Sequence, residues 1–483
     1  MNTVNKLSNG KYKVENIFLT IALIFGLITV FIQPIFSAPD EFVHFKRAYT
    51  IFHDDTDKLF EEVDKLTTLI PYEGPELNEN ALNSPEASFA FESAYKDGSF
   101  IQKYFKEEVS SLGKIGFNIR FERINLLPQA IGILLGSLIH PSFGIMIIIG
   151  RLFNFFVYVL SIYWAIKKSK VGKWFMATVA LLPISIQQAA SLSYDVLYYV
   201  VIFACFSLLT NLWTRKERLN WKWLLGILSI FFLLLVPKAS VLVLFLYFLA
   251  LPTCLFGKNI FTRYIDKFWG FWNNHKKLAA VVIAFIFYSL FVYEFRQSGG
   301  AIRGMQIILN TFFRPDFYNN MDSVLVSGMI GNFGQLTYRL PAWLIIINFV
   351  FLFIIGLSEK EVNLENRVAV TSFVAYTLVI LMTAITMYMS WTLRYLNIAG
   401  ALISLGNQGR YYTPFLITVI PLFFQVKKYF KLEIKEEIVY VLFKILLIFN
   451  LLYFLLLTYM FYYLPDRGAN FLPDIVDMMK AIF

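Results

Sequence analysis

Residues 14–47 read VENIFLTIALIFGLITVFIQPIFSAPDEFVHFKR. The first part, 14–35, is an apolar run with Glu15 near its start. A membrane helix needs about 20 mostly apolar residues, and this run supplies them. Lys6, Lys11 and Lys13 precede it, so its start belongs on the cytoplasmic side by the positive-inside rule. Phe36-Ser37-Ala38 has the look of a signal-cleavage site. The apolar run, however, exceeds the roughly 7–15 residues of a signal-peptide core, and the stretch reads as an uncleaved first helix. The second part, 37–47, then emerges on the outer side with its polar residues packed close together.

The rest of the chain extends the pattern. It has 483 residues, 58% hydrophobic and 16% charged, against roughly 25% charged in soluble domains. Mean hydropathy is +0.60. Phe (51) and Tyr (27) are abundant, as suits lipid-facing helices with aromatic belts. The formal charge of +10 does not indicate nucleic acid, because the basic residues sit in short loops between apolar runs. Cys205 and Cys254 both lie inside apolar stretches, which reads as packing and not as a disulfide framework.

Further apolar segments fall near 143–166, 174–191, 194–212, 222–237, 239–256, 278–294, 341–357, 367–389, 411–426 and 437–462. Basic loops alternate between them: Lys167 to Lys173, Arg215 to Lys222, Lys258 to Lys277, the mixed loop 359–367, and Lys427 to Lys435. If each segment crosses once, all these loops share the side of the N-terminus, which is therefore cytoplasmic. The short run 126–138, with Pro128, Gly132 and Gly136, would invert that order if it crossed, and is read as a membrane-embedded or interfacial helix that enters and returns. The expected fold is an all-α integral membrane protein with about eleven transmembrane helices. Its parts are a cytoplasmic N-terminus and first helix (1–36), a large extracytoplasmic loop with interfacial amphipathic helices (37–142), a helix bundle (143–463) and an outer tail (464–483). The Pro/Glu/Asn-rich stretch 71–84 reads as a surface loop, and the Phe and Tyr of 86–121 as amphipathic surface helices.

Ionisable groups at membrane depth are costly, so they mark functional candidates. Most gather at outer helix ends. If 40–47 is helical, Asp40, His44 and Arg47 share a face. Ser37 and Asp40 equally suit a capping box, and Glu41 suits a helix N-terminus. Asp195, in Ser191-Leu192-Ser193-Tyr194-Asp195, fits the cap of the next helix. Lys238 follows Pro237 and fits a snorkelling lysine or a phosphate partner. In Gly406-Asn407-Gln408-Gly409-Arg410-Tyr411, the glycines would let backbone N–H groups approach an anion while Arg410 supplies a fork. Arg296, Arg303, Arg314 and Arg339 add positive charge outside, matched either by an anionic ligand or by the acidic first loop. The histidines at 44, 53, 140 and 275 have no compact metal spacing.

Taken in order, Pro39-Asp40-Glu41 with His44 and Arg47, Leu127-Pro128-Gln129-Ala130, Arg151-Leu152-Phe153-Asn154, 191–195, Pro237-Lys238 and Gln408-Gly409-Arg410-Tyr411 resemble a bacterial family of polytopic membrane proteins, uncharacterised domain family 2142, over roughly 34–415. That family in turn resembles the C-type (GT-C) glycosyltransferases. The resemblance implies sugar transfer from a polyprenyl-phosphate-linked donor to a surface glycan or other acceptor, at the outer face of a bacterial cell membrane. It places Asp40 in the catalytic position with Glu41 beside it. His44, Arg47, Asp195, Lys238, Gln408, Arg410 and Tyr411 then form the substrate site, and Asp40 with Glu41 would also suit a divalent cation. The competing classes are a glycolipid flippase or transporter, and a non-catalytic component of a polysaccharide assembly complex.

Overall fold

The computed structural model describes residues 12–71, 87–236, 238–314, 321–359, 364–430 and 434–464, with 362 and 476. Lys6, Lys11, the centre of the proline-rich loop, Pro237, Lys431 and nearly all of the tail fall outside them.

The described chain is mainly helical. Helix α1 (Val14–Ile32) ends where Pro34 forces the preceding residue out of helical geometry: Gln33 has ψ 118°. The short α2 (Glu41–Tyr49) follows at once. After a polar stretch come α3 (Leu127–Ile139) and the long α4 (Phe143–Lys168), whose first turn is capped by the Ser142 hydroxyl accepting from the Ile145 N–H. The apolar run 174–191 is two helices, α5 (Lys173–Leu181) and α6 (Pro183–Ala189). Pro183 lacks the N–H that a continuous helix needs, and Leu182 is extended at ψ 141°. From Trp174 to Ala190 every residue is buried, as befits a segment that is apolar all round. Then follow α7 (Asp195–Trp213), α8 (Trp221–Leu234), α9 (Ile260–Asn274), α10 (Lys276–Glu294), α11 (Ala342–Ser358), α12 (Asn366–Met387) and α13 (Glu436–Tyr463).

Among the described residues, six stretches are long and apolar enough to cross a membrane: α1, α4, α7, α10, α13, and α12 with its π-helical continuation to Tyr395. Four apolar runs are shorter helices, Trp221–Leu234, Ala239–Leu249, Ala342–Ser358 and Thr413–Val426. The eleventh run is the broken α5–α6 pair.

Contacts between helix ends define two poles. At one, Tyr12 stacks on Tyr440 at 4.2 Å and Trp174 meets Phe443 at 5.1 Å. The Asn211 amide there donates to Lys168 O, and the Glu359 carboxylate accepts the Trp174 and Phe175 N–H groups at the start of α5. The lysine- and arginine-rich loops meet at this pole. At the other, the Tyr463 hydroxyl donates to Ile32 O, so α1 and α13 run parallel. Asp40, Asp195, Lys238 and Arg410 also sit at this second pole.

Two hydrophobic clusters match this division. The larger fills the bundle. The smaller forms a cap built from Ile35–Ile147 with Leu192, Phe461 and Tyr462. The aromatic residues expected to lie on a membrane surface are largely its core: Phe91, Tyr95 and Tyr104 are buried, and Tyr95 packs edge-on to Tyr463. The helices there are short (Glu92–Lys96 and Ile101–Lys106) and pack on protein, whereas Phe117 and Phe121 of the same stretch are exposed.

Helix α3 also belongs to the cap. It forms an antiparallel hairpin with the first turns of α4. A Cβ on Gly132 would lie 2.7 Å from Gly150 Cα, and one on Gly136 2.7 Å from Met146 Cα. The glycines permit this close contact, so α3 pairs with the projecting end of α4 and does not dip into the bundle and return.

Candidate functional site

The site grows from the turn after α1. The Gln335 amide, in the loop between the short strands Asn332–Phe333 and Tyr338–Arg339, donates to Phe36 O at 2.8 Å and Ala38 O at 2.7 Å. Asp40 N–H donates back to its Oε1 at 3.4 Å. Asp40 is held at φ 59° and its side chain makes no capping bond. The Ser37 hydroxyl donates to Pro34 O instead. The capping-box reading of Ser37 and Asp40 therefore does not hold, and the Asp40 carboxylate is left for another partner.

That partner is Arg410. Its guanidinium pairs with Asp40 Oδ2, donates to Pro39 O at 3.1 Å and Gln188 Oε1 at 3.3 Å, and lies 3.6 Å from Asp195 Oδ2. The arginine side chain is 2% exposed and that of Asp40 41%, so the carboxylate reaches the outside from a buried cationic base. Asp195 also faces Lys238, with Nζ 2.6 Å from Oδ1. Those two atoms make no aligned hydrogen bond, so the contact is chiefly charge. Lys238 Nζ sits 3.7 Å from the Tyr411 ring centroid, 4.9 Å from Tyr194 and 5.3 Å from Tyr198. Aromatic faces stabilise a cation in such a cage.

Asp195 is thus not the helix cap that its position suggested. The Ser193 hydroxyl accepts the Asp195 N–H at 3.2 Å, freeing the carboxylate. The turn is fixed from three sides: Asn154 donates to Ser191 O and Ser193 O, Gln129 donates to Leu192 O, and Glu41 Oε1 accepts the Leu192 N–H.

Glu41 is likewise not a second acid beside Asp40. It points inward, fully buried, and takes both arms of Arg151: Nε to Oε1 at 2.8 Å and Nη2 to Oε2 at 2.6 Å. Arg151 also donates to Val30 O, Gln33 O and Pro34 O. A divalent ion bridging Asp40 and Glu41 has no geometric basis here, because one carboxylate faces out and the other is committed to Arg151. Among the described residues no three of His, Cys, Asp and Glu gather as a metal would need.

His44 packs edge-on to Tyr194 at 4.5 Å. Burial, reinforced by the nearby Arg410 charge, pushes its pKa down to about 3, so it is neutral at ordinary pH. Arg47 is exposed and forms no ion pair among the described residues, and it acts on the centre only through its charge near Tyr194. Gln408 keeps Oε1 buried without a partner. Gly409 is required for packing: a Cβ there would lie 2.0 Å from Gly328 C. The expected outer arginines divide. Arg339 pairs with Asp322, and Arg303 donates to Gln306 and Gly400 O.

Sequence reasoning missed Gln188, Gln335 and Tyr198 as parts of this centre, and gave Tyr194 no role beyond its place in the 191–195 cluster. Neutral amides and tyrosines are common in such a chain, so nothing in their spacing set them apart.

The arrangement can hold an anionic oxygen. Lys238 Nζ, Gln188 Nε2 and Arg410 Nε are buried donors without hydrogen-bond partners, and His44 Nδ1 is unpartnered beside them. Two of these donors meet the Asp195 carboxylate as ion pairs; an orphaned buried donor such as Gln188 Nε2 is costly, and an oxygen-rich ligand would satisfy it.

Together, the apolar helices, the charge-poor bundle and the polar centre at one pole define a membrane-embedded, multi-helix protein. The chain belongs to the family described as "Predicted membrane protein (DUF2142)", whose profile matches residues 23–419. No curated protein and no solved structure matches it.

Proposed function

We propose that the protein is a glycosyltransferase of the GT-C type. In this reading it moves a sugar from a polyprenyl-phosphate-linked donor to a cell-surface glycan or other acceptor. The chain crosses the bilayer about eleven times, counting the shorter and broken helices. The lysine-rich pole faces the cytoplasm of a bacterial cell, and the Asp40 pole opens outside. The observation that carries the reading is an outward carboxylate, Asp40, anchored on Arg410 beside a second cation, Lys238, and the unpartnered Gln188 amide nitrogen.

The acceptor hydroxyl gives its proton to the Asp40 carboxylate as its oxygen bonds to the sugar's anomeric carbon. The bond from that carbon to the phosphate oxygen breaks, and polyprenyl phosphate departs with the electron pair. Arg410 and Lys238 stabilise the charge that grows on the phosphate. Asp195 aligns both cations, and the Tyr411 face orients Lys238. Asp40→Asn tests the reading, since Asn tolerates positive φ and preserves the turn. Membranes carrying Asp40→Asn or Asp40→Ala are expected to lose sugar transfer from polyprenyl-phosphate donors. Full transfer by either variant removes Asp40 from the chemistry.

A flippase or transporter for a glycolipid is the second reading. It is favoured by the Pro183 break with the fully buried, unpartnered amides of Gln187 and Gln33, since transporters use discontinuous helices at polar sites. Glycans from a deletion strain separate the two. A missing side-branch sugar supports transfer, and loss of all exported polymer supports flipping.

A further inference from the structure

We propose a second site, at the pole opposite Asp40: a pocket for the headgroup of an anionic phospholipid, formed under an amphipathic helix that lies in the membrane surface. The helix is α9. It begins with a full capping box, Asn259 and Thr262 exchanging hydrogen bonds, so it is a well-formed element. Its residues fall in three sectors at helical spacing. One sector, Thr262, Ile265 and Trp269, is buried against the bundle, and Trp269 Nε1 donates to Leu249 O at 2.9 Å. A second sector, Ile260, Phe261, Tyr264, Phe268 and Phe271, is exposed, with Ile260 at 70% and Tyr264 at 65%. The third is polar and carries Arg263, Asp266, Lys267 and Asn273.

Two cavities open beside that polar sector. One, of about 830 Å³, is lined by Asp266, Asn273, Lys276, Arg367 and Lys428 among others. The other, of about 600 Å³, is lined by Lys258, Asn259, Arg263, Asp266 and Lys267 among others. Across both, six basic side chains face two carboxylates, Asp266 and Glu365, and Glu365 is already paired with Arg367 at 2.7 Å. Lys258, Arg263, Lys267 and Lys276 have no ion-pair partner among the described residues. A headgroup phosphate answers this excess of positive charge.

Continuity decides that the occupant is lipid and not a soluble protein. Helix α10 leaves α9 directly at Lys276, and only 11% of its membrane window is buried inside the protein. Its surroundings are therefore acyl chain. The aromatic stripe of α9 joins that belt, and helices with basic and aromatic faces lie at the headgroup boundary. Basic pockets between membrane helices take anionic headgroups.

The test uses the full chain, purified in detergent and reconstituted in nanodiscs of mixed phosphatidylglycerol and phosphatidylcholine. Lipids retained on release are counted by native mass spectrometry. Phosphatidylglycerol is expected to be retained preferentially, and the preference to fall as NaCl rises. Each basic residue near an anionic surface contributes about fivefold, so Arg263→Gln with Lys267→Gln and Lys276→Gln should weaken retention about a hundredfold. The salt dependence is read on the unaltered protein, so the proposal stays falsifiable should the triple variant fold poorly. Equal retention of the two lipids, or unchanged retention in a folded triple variant, overturns it. Complete displacement by inorganic phosphate assigns the pocket to a free anion, and a dimer that covers the aromatic stripe assigns the face to a second copy. Either result also overturns the lipid assignment.

Discussion

Replacing Glu41 by Gln tests whether the acidic neighbour of Asp40 is structural. The Glu41 carboxylate accepts three hydrogen bonds: 2.8 and 2.6 Å from Arg151 and 3.1 Å from the Leu192 N–H. Both side chains of the pair are 0% exposed. Gln preserves the shape, keeps one acceptor oxygen and turns an NH₂ toward a guanidinium. Arg151 is then a buried cation held by three backbone carbonyls and one neutral amide oxygen. Removing one partner of a buried ion pair costs about 3–5 kcal/mol, and the retained carbonyls and amide oxygen put the expected value near the lower figure. About 3 kcal/mol is roughly a hundredfold in the folding equilibrium. The assay is the folded fraction after graded heating in detergent, followed by size exclusion. Glu41→Gln is expected to lose its folded peak well below the unaltered protein, and Glu41→Leu combined with Arg151→Met to recover much of it, since apolar replacement of a whole buried pair is often neutral. A Glu41→Gln protein with unchanged thermal behaviour would refute the structural role.

The same assay carries three further expectations. Gly409→Ala drives a Cβ into the Gly328 backbone and should cost about 3 kcal/mol, whereas Gly226→Ala, with nothing within 4 Å of the added atom, should be neutral or stabilising by up to about 1 kcal/mol. Asn348 and Asn450 exchange amide hydrogen bonds between α11 and α13 at 3.1 and 2.7 Å, and a double-mutant cycle to Ala should give a coupling of about 0.6–1.7 kcal/mol. His44 is neutral when folded, with its pKa lowered to about 3, while the unfolded chain takes up a proton near pH 6.5. Stability from this group is therefore complete above pH 6.5 and declines by about 1.4 kcal/mol per unit as pH falls toward 3. His44→Phe should flatten that slope, and an equal slope in both proteins would refute the assignment.

The ingredients of the site were legible in the sequence because charge is scarce there. Asp40, Asp195, Lys238 and Arg410 stood out as polar residues at the ends of apolar runs, and the structure brings them to one pole. Their roles were less legible. A carboxylate at a helix start reads as a cap, yet the Asp195 N–H is taken by the Ser193 hydroxyl, and the carboxylate faces two cations. Glu41 next to Asp40 read as a pair, but successive residues of a helix point in different directions, and the Glu41 partner is Arg151, 110 positions away. The apolar runs marked the helices well. Their lengths were obscured by local chemistry, as Pro183 breaks one run and 3₁₀ turns shorten two others. The run forming α3 is a 13-residue helix, shorter than the roughly 20 residues a crossing needs. Its antiparallel partner rests on Gly132 and Gly136 meeting α4, which helix periodicity alone does not reveal.

Helix α4 has 26 residues and is therefore about 39 Å long. Phe143, Met146 and Ile147 anchor its upper end in the cap, while Phe155, Tyr158 and Ile162 are set in the bundle. Helix α13 does the same, with Phe454 in one core and Phe461 and Tyr462 in the other. Two unbroken rods are thus riveted into both storeys of the molecule, and Arg151 bolts the join. The upper storey cannot swing like a door without bending both rods.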